Sequence, residues 1–222
     1  MRAQTRAALA ALFCFLGAAF AQEHKPVVAP EVKAGDRWVY RRVDYASGKP
    51  RDTYRLEVTF AGNDAIQAVM SGWGAPESDV TYTAEWNDVV SHRGVVNLRE
   101  KGELQFPLYV GATYKLAWEL ENPRFNRRSG RHERTVNVVG WESVTVPAGT
   151  FRALKVVAEG THRTFLGYSI ASPGAVKDTY WYVPQVKRWV KYVHESSTPV
   201  PGGRGVHERE HSGEELVEFE VQ

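Results

Sequence analysis

Two histidines four residues apart, in "HEREH" at 207–211, are the first group in this chain that could hold a metal ion. On a helix, His207 and His211 would share a face and could take zinc. The flanking "PGGRG" and "SG" do not favour a helix. On a strand the pair would lie ~13 Å apart, too far for one ion. The stretch reads as a solvated polar loop, and neither a metal nor a cofactor is expected. There is no GxSxG nucleophile pattern, and the single cysteine, Cys14, lies near the start of the chain. The acids Asp36, Asp44, Glu57, Asp79, Glu85 and Glu119 fall mostly on the polar faces of strand-like runs. Strand ends could bring two of them to the ~5–9 Å of a glycosidase pair. Nothing in their spacing selects any two, so the expectation is a non-enzymatic protein.

Arginines and aromatic residues are the stronger candidates. "PRFNRRSGRHER" holds Arg124, Arg127, Arg128, Arg131 and Arg134, with His132 among them. Such a cluster suits an anion: a lipid headgroup, an acidic polysaccharide or a partner's carboxylates. The plainer reading is a solvated hairpin tip whose like charges protect an edge. The glutamates of the C-terminal stretch, Glu208 to Glu220, could face these arginines. Trp38, Tyr40, Trp86, Trp118, Tyr180, Trp181, Tyr182 and Trp189 lie on strand-like segments. The consecutive Tyr180, Trp181 and Tyr182 must place aromatic rings on both faces of a sheet. One face is core, and the other needs a cover, a partner or a ligand. Trp38, Tyr40, Trp118, Tyr182 and Trp189 are the candidate ligand-binding set.

The elements that would carry these residues read as strands. In "TYRLEVTF", Tyr54, Leu56, Val58 and Phe60 share one phase, as do Tyr114, Leu116 and Trp118 in "TYKLAWELEN". "VTVPAGTF" at 144–151 reads as a hairpin, with Pro147 presetting a turn and Phe151 starting the return strand. Gly149 would complete a three-residue loop with a bulge. The stretch is not a phosphate loop, because no GxxxxGK[ST] and no following helix pattern is present. No helical period runs through the chain beyond its first residues. Roughly ten strands predict an all-β fold with little helix. The expected form is a curved, mostly antiparallel meander: a half-barrel or open barrel. A weak internal echo links "GDRWVYRRVD" at 35 to "GATYKLAWEL" at 111.

Residues 1–21 have the form of a secretory signal peptide, with Arg2 and Arg6 before a short apolar run and Ala19-Phe20-Ala21 as the cleavage site. The run is shorter than the ~20 residues of a spanning helix. Residues 22–34 read as an extended arm, and 35–222 as a single β domain. Beyond the leader the chain carries 26 basic and 26 acidic residues and no cysteine. A balanced charge makes no case for nucleic acid. The expected location is the periplasm or the extracellular space.

"VTVPAGTFRALKV" followed by "YWYVPQVKRWVKY" resembles an uncharacterised family of exported bacterial proteins, domain of unknown function 3108 and its relatives. "FPLYVGATYKL" fits the same habit. The resemblance covers roughly residues 104–195 and implies a curved antiparallel sheet or half-barrel, comparable to periplasmic lipoprotein carriers. The chain departs from the pattern at Lys187 and Arg188, where a glycine often follows "P-x-V". Three functions stay open. They are non-enzymatic binding of a lipid or other apolar or amphipathic molecule on a concave aromatic face, docking of a protein partner through that face or the Arg124–Arg134 loop, and carbohydrate binding.

Overall fold

The computed structural model describes residues 25–72, 76–91, 96–98, 102–122, 127–166, 169–170, 173–200 and 207–222. The leader expected at 1–21 and Arg124 lie outside these residues. So do the side chains of Arg127 and Arg128.

Alternating sequence becomes alternating burial. In β1 (Arg37–Asp44) Trp38 and Tyr40 are buried between outward Arg37 and Arg41. In β2 (Lys49–Ala61) Tyr54, Leu56 and Val58 are buried. Phe60 was expected on that same face, but it is exposed. The pairing register shifts between Val58 and Phe60, and one extra residue turns the side chain outward. Ile66, Ala68 and Met70 continue the core in β3 (Ala65–Ser71), as do Val80 and Tyr82 in β4 (Ser78–Thr83).

Short strands β5 (Asp88–Val90) and β6 (Val96–Leu98) lead to β7 (Thr113–Asn122) and to a long hairpin of β8 (Arg127–Val146) and β9 (Gly149–Leu166). A two-residue β10 (Ser169–Ile170) hangs on β9. Then come β11 (Gly174–Val183), a 3₁₀ turn at Pro184–Val186, β12 (Arg188–Pro199) and β13 (His207–Glu220).

Each strand pairs antiparallel with its neighbour in sequence, β10 apart, and the described residues form one sheet of thirteen strands. β8 pairs with both β7 and β9, and β13 pairs with β1 from Arg37↔Glu220 to Asp44↔Ser212. The curved antiparallel meander is therefore a closed twelve-stranded barrel rather than a half-barrel or an open one. Closure removes the two edges that an open sheet would leave unpaired. Charged side chains such as Arg37, Arg55, Lys177 and Glu195 stand outside, and most large apolar ones inside, with Phe60 and Val139 among the exceptions. A lipid-facing barrel carries an apolar outer band instead. Among the described residues no helix is long and apolar enough to cross a membrane.

The internal echo has a structural counterpart. Gly35 and Gly111 each precede a strand by two residues, with φ of 91° and 85°. Gly35 N–H donates to Val58 O and Val58 N–H to Asp36 O, while Gly111 N–H donates to Val138 O and Val138 N–H to Ala112 O. Two further turns match. Trp86 (φ 65°) closes on Thr83 O, and Lys187 (φ 60°) on Pro184 O, both at 3.0 Å. Six strands from β1 and six from β7, with β10 left out, thus repeat one design. The Trp86 and Lys187 turns meet inside the barrel, where Trp86 Nε1–H donates to Lys187 O at 2.7 Å.

Near the β8–β9 turn the barrel is filled by its own side chains, among them Val136, Val138, Val144, Leu154 and Leu216. Pro147 and Ala148 make that turn, Val146 faces Gly149, and Gly149 has φ 135°. The loop is thus two residues long, not three. Ala148 N–H donates to Leu216 O, tying the tip to β13.

Candidate functional site

A barrel of eight strands is just filled by its own side chains, and a wider one leaves room. Here the room is a cavity of about 340 Å³, away from the packed end. Its wall includes Trp86, Trp118, Trp189, Tyr54, Tyr82, Tyr180 and Tyr192, with Arg134, Arg188, Asp178, Glu214, His132 and His194. Asp88, which also lines it, is exposed and marks its mouth.

Arg188 is held at the floor by the turn before it. Trp38 Nε1–H donates to Val186 O at 2.9 Å and Tyr40 O–H to Trp189 O at 2.6 Å. Lys187 occupies the left-handed conformation that glycine adopts most easily. Its Nζ is fixed by Asp36 Oδ2 at 3.0 Å and Gln222 O at 2.7 Å. The following Arg188 is turned into the barrel and is 2 % exposed. Its guanidinium carbon lies 3.9 Å from the ring centre of Trp189, 4.3 Å from Trp86 and 5.0 Å from Tyr82. These rings stabilise the cation. Its Nε and Nη1 have no acceptor in hydrogen-bonding geometry, nor has Trp189 Nε1. Glu214 lies on the same wall, and Tyr54 O–H donates to its Oε2 at 2.7 Å. Burial raises the Glu214 carboxyl above its ordinary value; Tyr54, Arg188 and Trp189 offset this only in part.

Higher in the cavity Asp178 is 6 % exposed and collects donors. Tyr192 O–H donates to its Oδ1 at 2.6 Å, and His194 Nδ1 lies 2.7 Å from the same oxygen. Arg134 Nε is 3.7 Å from Oδ2. Arg134 also donates through Nη1 to Thr161 O and through Nη2 to His132 Nδ1, both at 2.8 Å. His132 stacks on Trp118 with centres 4.9 Å apart. Burial pushes His194 down, but the hydrogen bond and charge of Asp178 outweigh it, so His194 is raised. His162 is lowered by burial and then by the charges of Arg134 and His194.

The sequence candidates separate. Trp118 and Trp189 line the cavity, whereas Trp38, Tyr40 and Tyr182 have no exposed surface and belong to the packed interior. The arginine cluster reads in sequence as an anion site or a solvated hairpin tip; β7 and β8 pair as a hairpin as far as Asn122↔Arg127, and the cluster runs from that end into β8. Strand alternation points Arg131 outward, where it pairs with Glu133, and Arg134 inward. Of the C-terminal glutamates, Glu215 and Glu220 pair with arginines of β1, not with that cluster. His207 and His211 start β13 rather than a loop, and both are exposed. Their stretch has the letters H-E-x-x-H, yet that zinc motif needs a helix to bring its two histidines together. Trp181, on the outer face, is covered by Lys155 and Lys191 and donates to Glu142.

Sequence reasoning missed Arg188, Glu214, Asp178 and His194. A signal existed: Asp178 is in phase with Tyr180 and Tyr182, and Arg134 with Val136 and Val138. A charge in phase with buried residues points inward.

No protein-family model and no curated protein matches the chain. Two solved structures are similar. One is a predicted lipoprotein from Parabacteroides distasonis, 15% identical with a TM-score of 0.54, covering 88% of this chain and 100% of its own. The other is a predicted exported protein with a YmcC-like fold from Bacteroides fragilis, 13% identical with a TM-score of 0.42 and the same coverage. At such identity the first likeness concerns the fold alone.

Proposed function

We propose that this protein is exported, to the periplasm or beyond the cell, and binds a small amphipathic molecule in its barrel without transforming it. The observation that carries this reading is the cavity of about 340 Å³, a volume in the range of small-molecule sites, walled by aromatic rings and a few buried polar groups. A wholly apolar guest fits the wall poorly. It would displace water from Arg188, Glu214 and Asp178 and give them nothing to bond. A molecule with a polar head and an apolar body meets both. The leader-like residues 1–21 and the resemblance to domain of unknown function 3108 support the location. Lipoprotein and exported status, in the names of the two similar structures, belongs to those proteins.

Native mass spectrometry of protein purified from its own compartment, followed by solvent extraction, tests the reading. An added mass that the extract identifies as an amphipathic molecule is the expected result. A bare monomer whose tryptophan fluorescence ignores every added amphiphile would move the function to protein docking.

A further inference from the structure

Arg188 poses an unanswered question of valence. It is a permanent cation, 2 % exposed, on the wall of a cavity, and two of its nitrogens lack an acceptor. A buried donor left unmade costs free energy, and a charged one costs more. The aromatic rings around it offset part of the charge, and the Tyr40 and Tyr82 hydroxyls lie near it, yet Nε and Nη1 have no acceptor in hydrogen-bonding geometry. The buried acids are already engaged. Asp178 is taken by Tyr192, His194 and Arg134. Glu214 accepts from Tyr54, and burial favours its neutral form. Neither supplies Arg188 with an oxygen in hydrogen-bonding geometry. Trp189 Nε1–H, on the neighbouring residue, lies near Glu214 but outside hydrogen-bonding geometry, and it can only donate. Donors are thus left over at the floor of the cavity. The empty partner there is an acceptor carrying negative charge.

We propose that the ligand's head is a singly charged oxyanion, a carboxylate above all, received by the buried guanidinium of Arg188 where it lines the cavity beside Trp189. Its apolar body then lies toward Met70, Tyr180 and Trp118, higher in the cavity. A carboxylate matches a guanidinium in geometry as well as charge. A cationic head is excluded from this place by Arg188 itself. A doubly charged phosphate would meet the carboxylate of Asp178 on the same wall.

This inference rests on the cavity-binding reading, and one experiment separates the two. Octanoate, octanamide, octan-1-ol and octylamine share a body and differ in the head. Each is titrated into the purified protein by calorimetry, with tryptophan fluorescence alongside. Octanoate should bind about 10–100-fold more tightly than the amide or the alcohol, the range of a charge-assisted hydrogen bond, with the amine weakest. Arg188→Met should bring octanoate down to the neutral probes and leave those within about threefold. Should that variant fail to fold, the ranking of the four heads on the native protein decides alone. Trp189→Phe, which removes one donor and keeps the ring position, then serves as the milder variant. Amide and alcohol binding as well as octanoate would overturn the oxyanion and keep the cavity. Binding of none of the four would overturn both.

Discussion

His194 and His162 stand near the same buried acid and are driven in opposite directions. His194 gains Asp178 as a partner and is raised; His162 is lowered by burial and by the cations near it. Imidazole resonances followed by NMR through a pH titration should therefore give a midpoint above 6.5 for His194 and below 6.5 for His162. The linkage follows from these directions. The raised His194 contributes stability that is present in full below its unfolded pKa of about 6.5 and is lost as pH rises through its folded value. The lowered His162 acts oppositely, costing stability as pH falls from about 6.5 through its folded value. A His194 midpoint below 6.5 would mean that Asp178 does not hold it. The buried tyrosines Tyr40, Tyr54, Tyr82 and Tyr192 are pushed far above their ordinary range by burial, so they serve this interior as neutral donors.

At the scale of elements, the seam between β1, β12 and β13 is clasped by Glu215. Its carboxylate accepts from Arg41 Nη2 at 2.7 Å and Tyr45 O–H at 2.9 Å, with Lys191 Nζ at 3.3 Å. Burial alone would raise this group, but those three partners lower it. Its contribution is thus present above the ordinary carboxylate range and lost as pH falls through the lower folded value. Glu215→Gln should cost about 1–2 kcal/mol in urea unfolding at pH 7, since Arg41 and Lys191 remain partly open to solvent. The gap to the native protein should shrink below about pH 4.5. A gap unchanged by acid would show that the charge is not what clasps the seam. The β8–β9 hairpin depends instead on closeness. A Cβ on Gly160 would sit 2.1 Å from Glu133 O, a backbone atom with no room to move. Gly160→Ala should cost about 3 kcal/mol, seen as a lower urea midpoint. A midpoint within error of the native one would mean that the ladder is looser there.

Over the whole molecule, closure makes stability uneven. Among the described residues β8 and β9 pair along sixteen residue pairs from Gly130↔Thr164 to Val146↔Gly149, whereas β5 and β6 share one, Val90↔Val96. Local opening follows local pairing. Hydrogen exchange read by mass spectrometry should find the β8–β9 amides slowest and the β5–β6 amides fastest. The fast side is also where Asp88 marks the mouth of the cavity, so a ligand should slow exchange there most. Uniform protection around the barrel would contradict this account. The repeat of six strands explains why two left-handed turns meet at the centre. Each half sends one turn inward, and the second half follows its turn with Arg188.

The sequence by itself determined the strand class and much of the core. The alternation of Tyr54, Leu56 and Val58, or of Val136 and Val138, leaves a chain little choice but a sheet with one face inside. The hairpin at Pro147 was legible because its backbone demands are local. Closure was not, since it depends on β13 meeting β1 across the whole chain, and no short-range pattern encodes that pairing. Phe60 escaped because a bulge shifts phase by one residue, which pattern alone does not reveal. The candidate site divided for the same reason. Aromatic content marked Trp118 and Trp189, but only curvature decided that Trp38, Tyr40 and Tyr182 would be packed and those two left beside a space. Arg188 reads as an outward charge until the Lys187 turn is seen to bring it inside. Burial is a sum over distant strands, and the tertiary structure alone performs that sum.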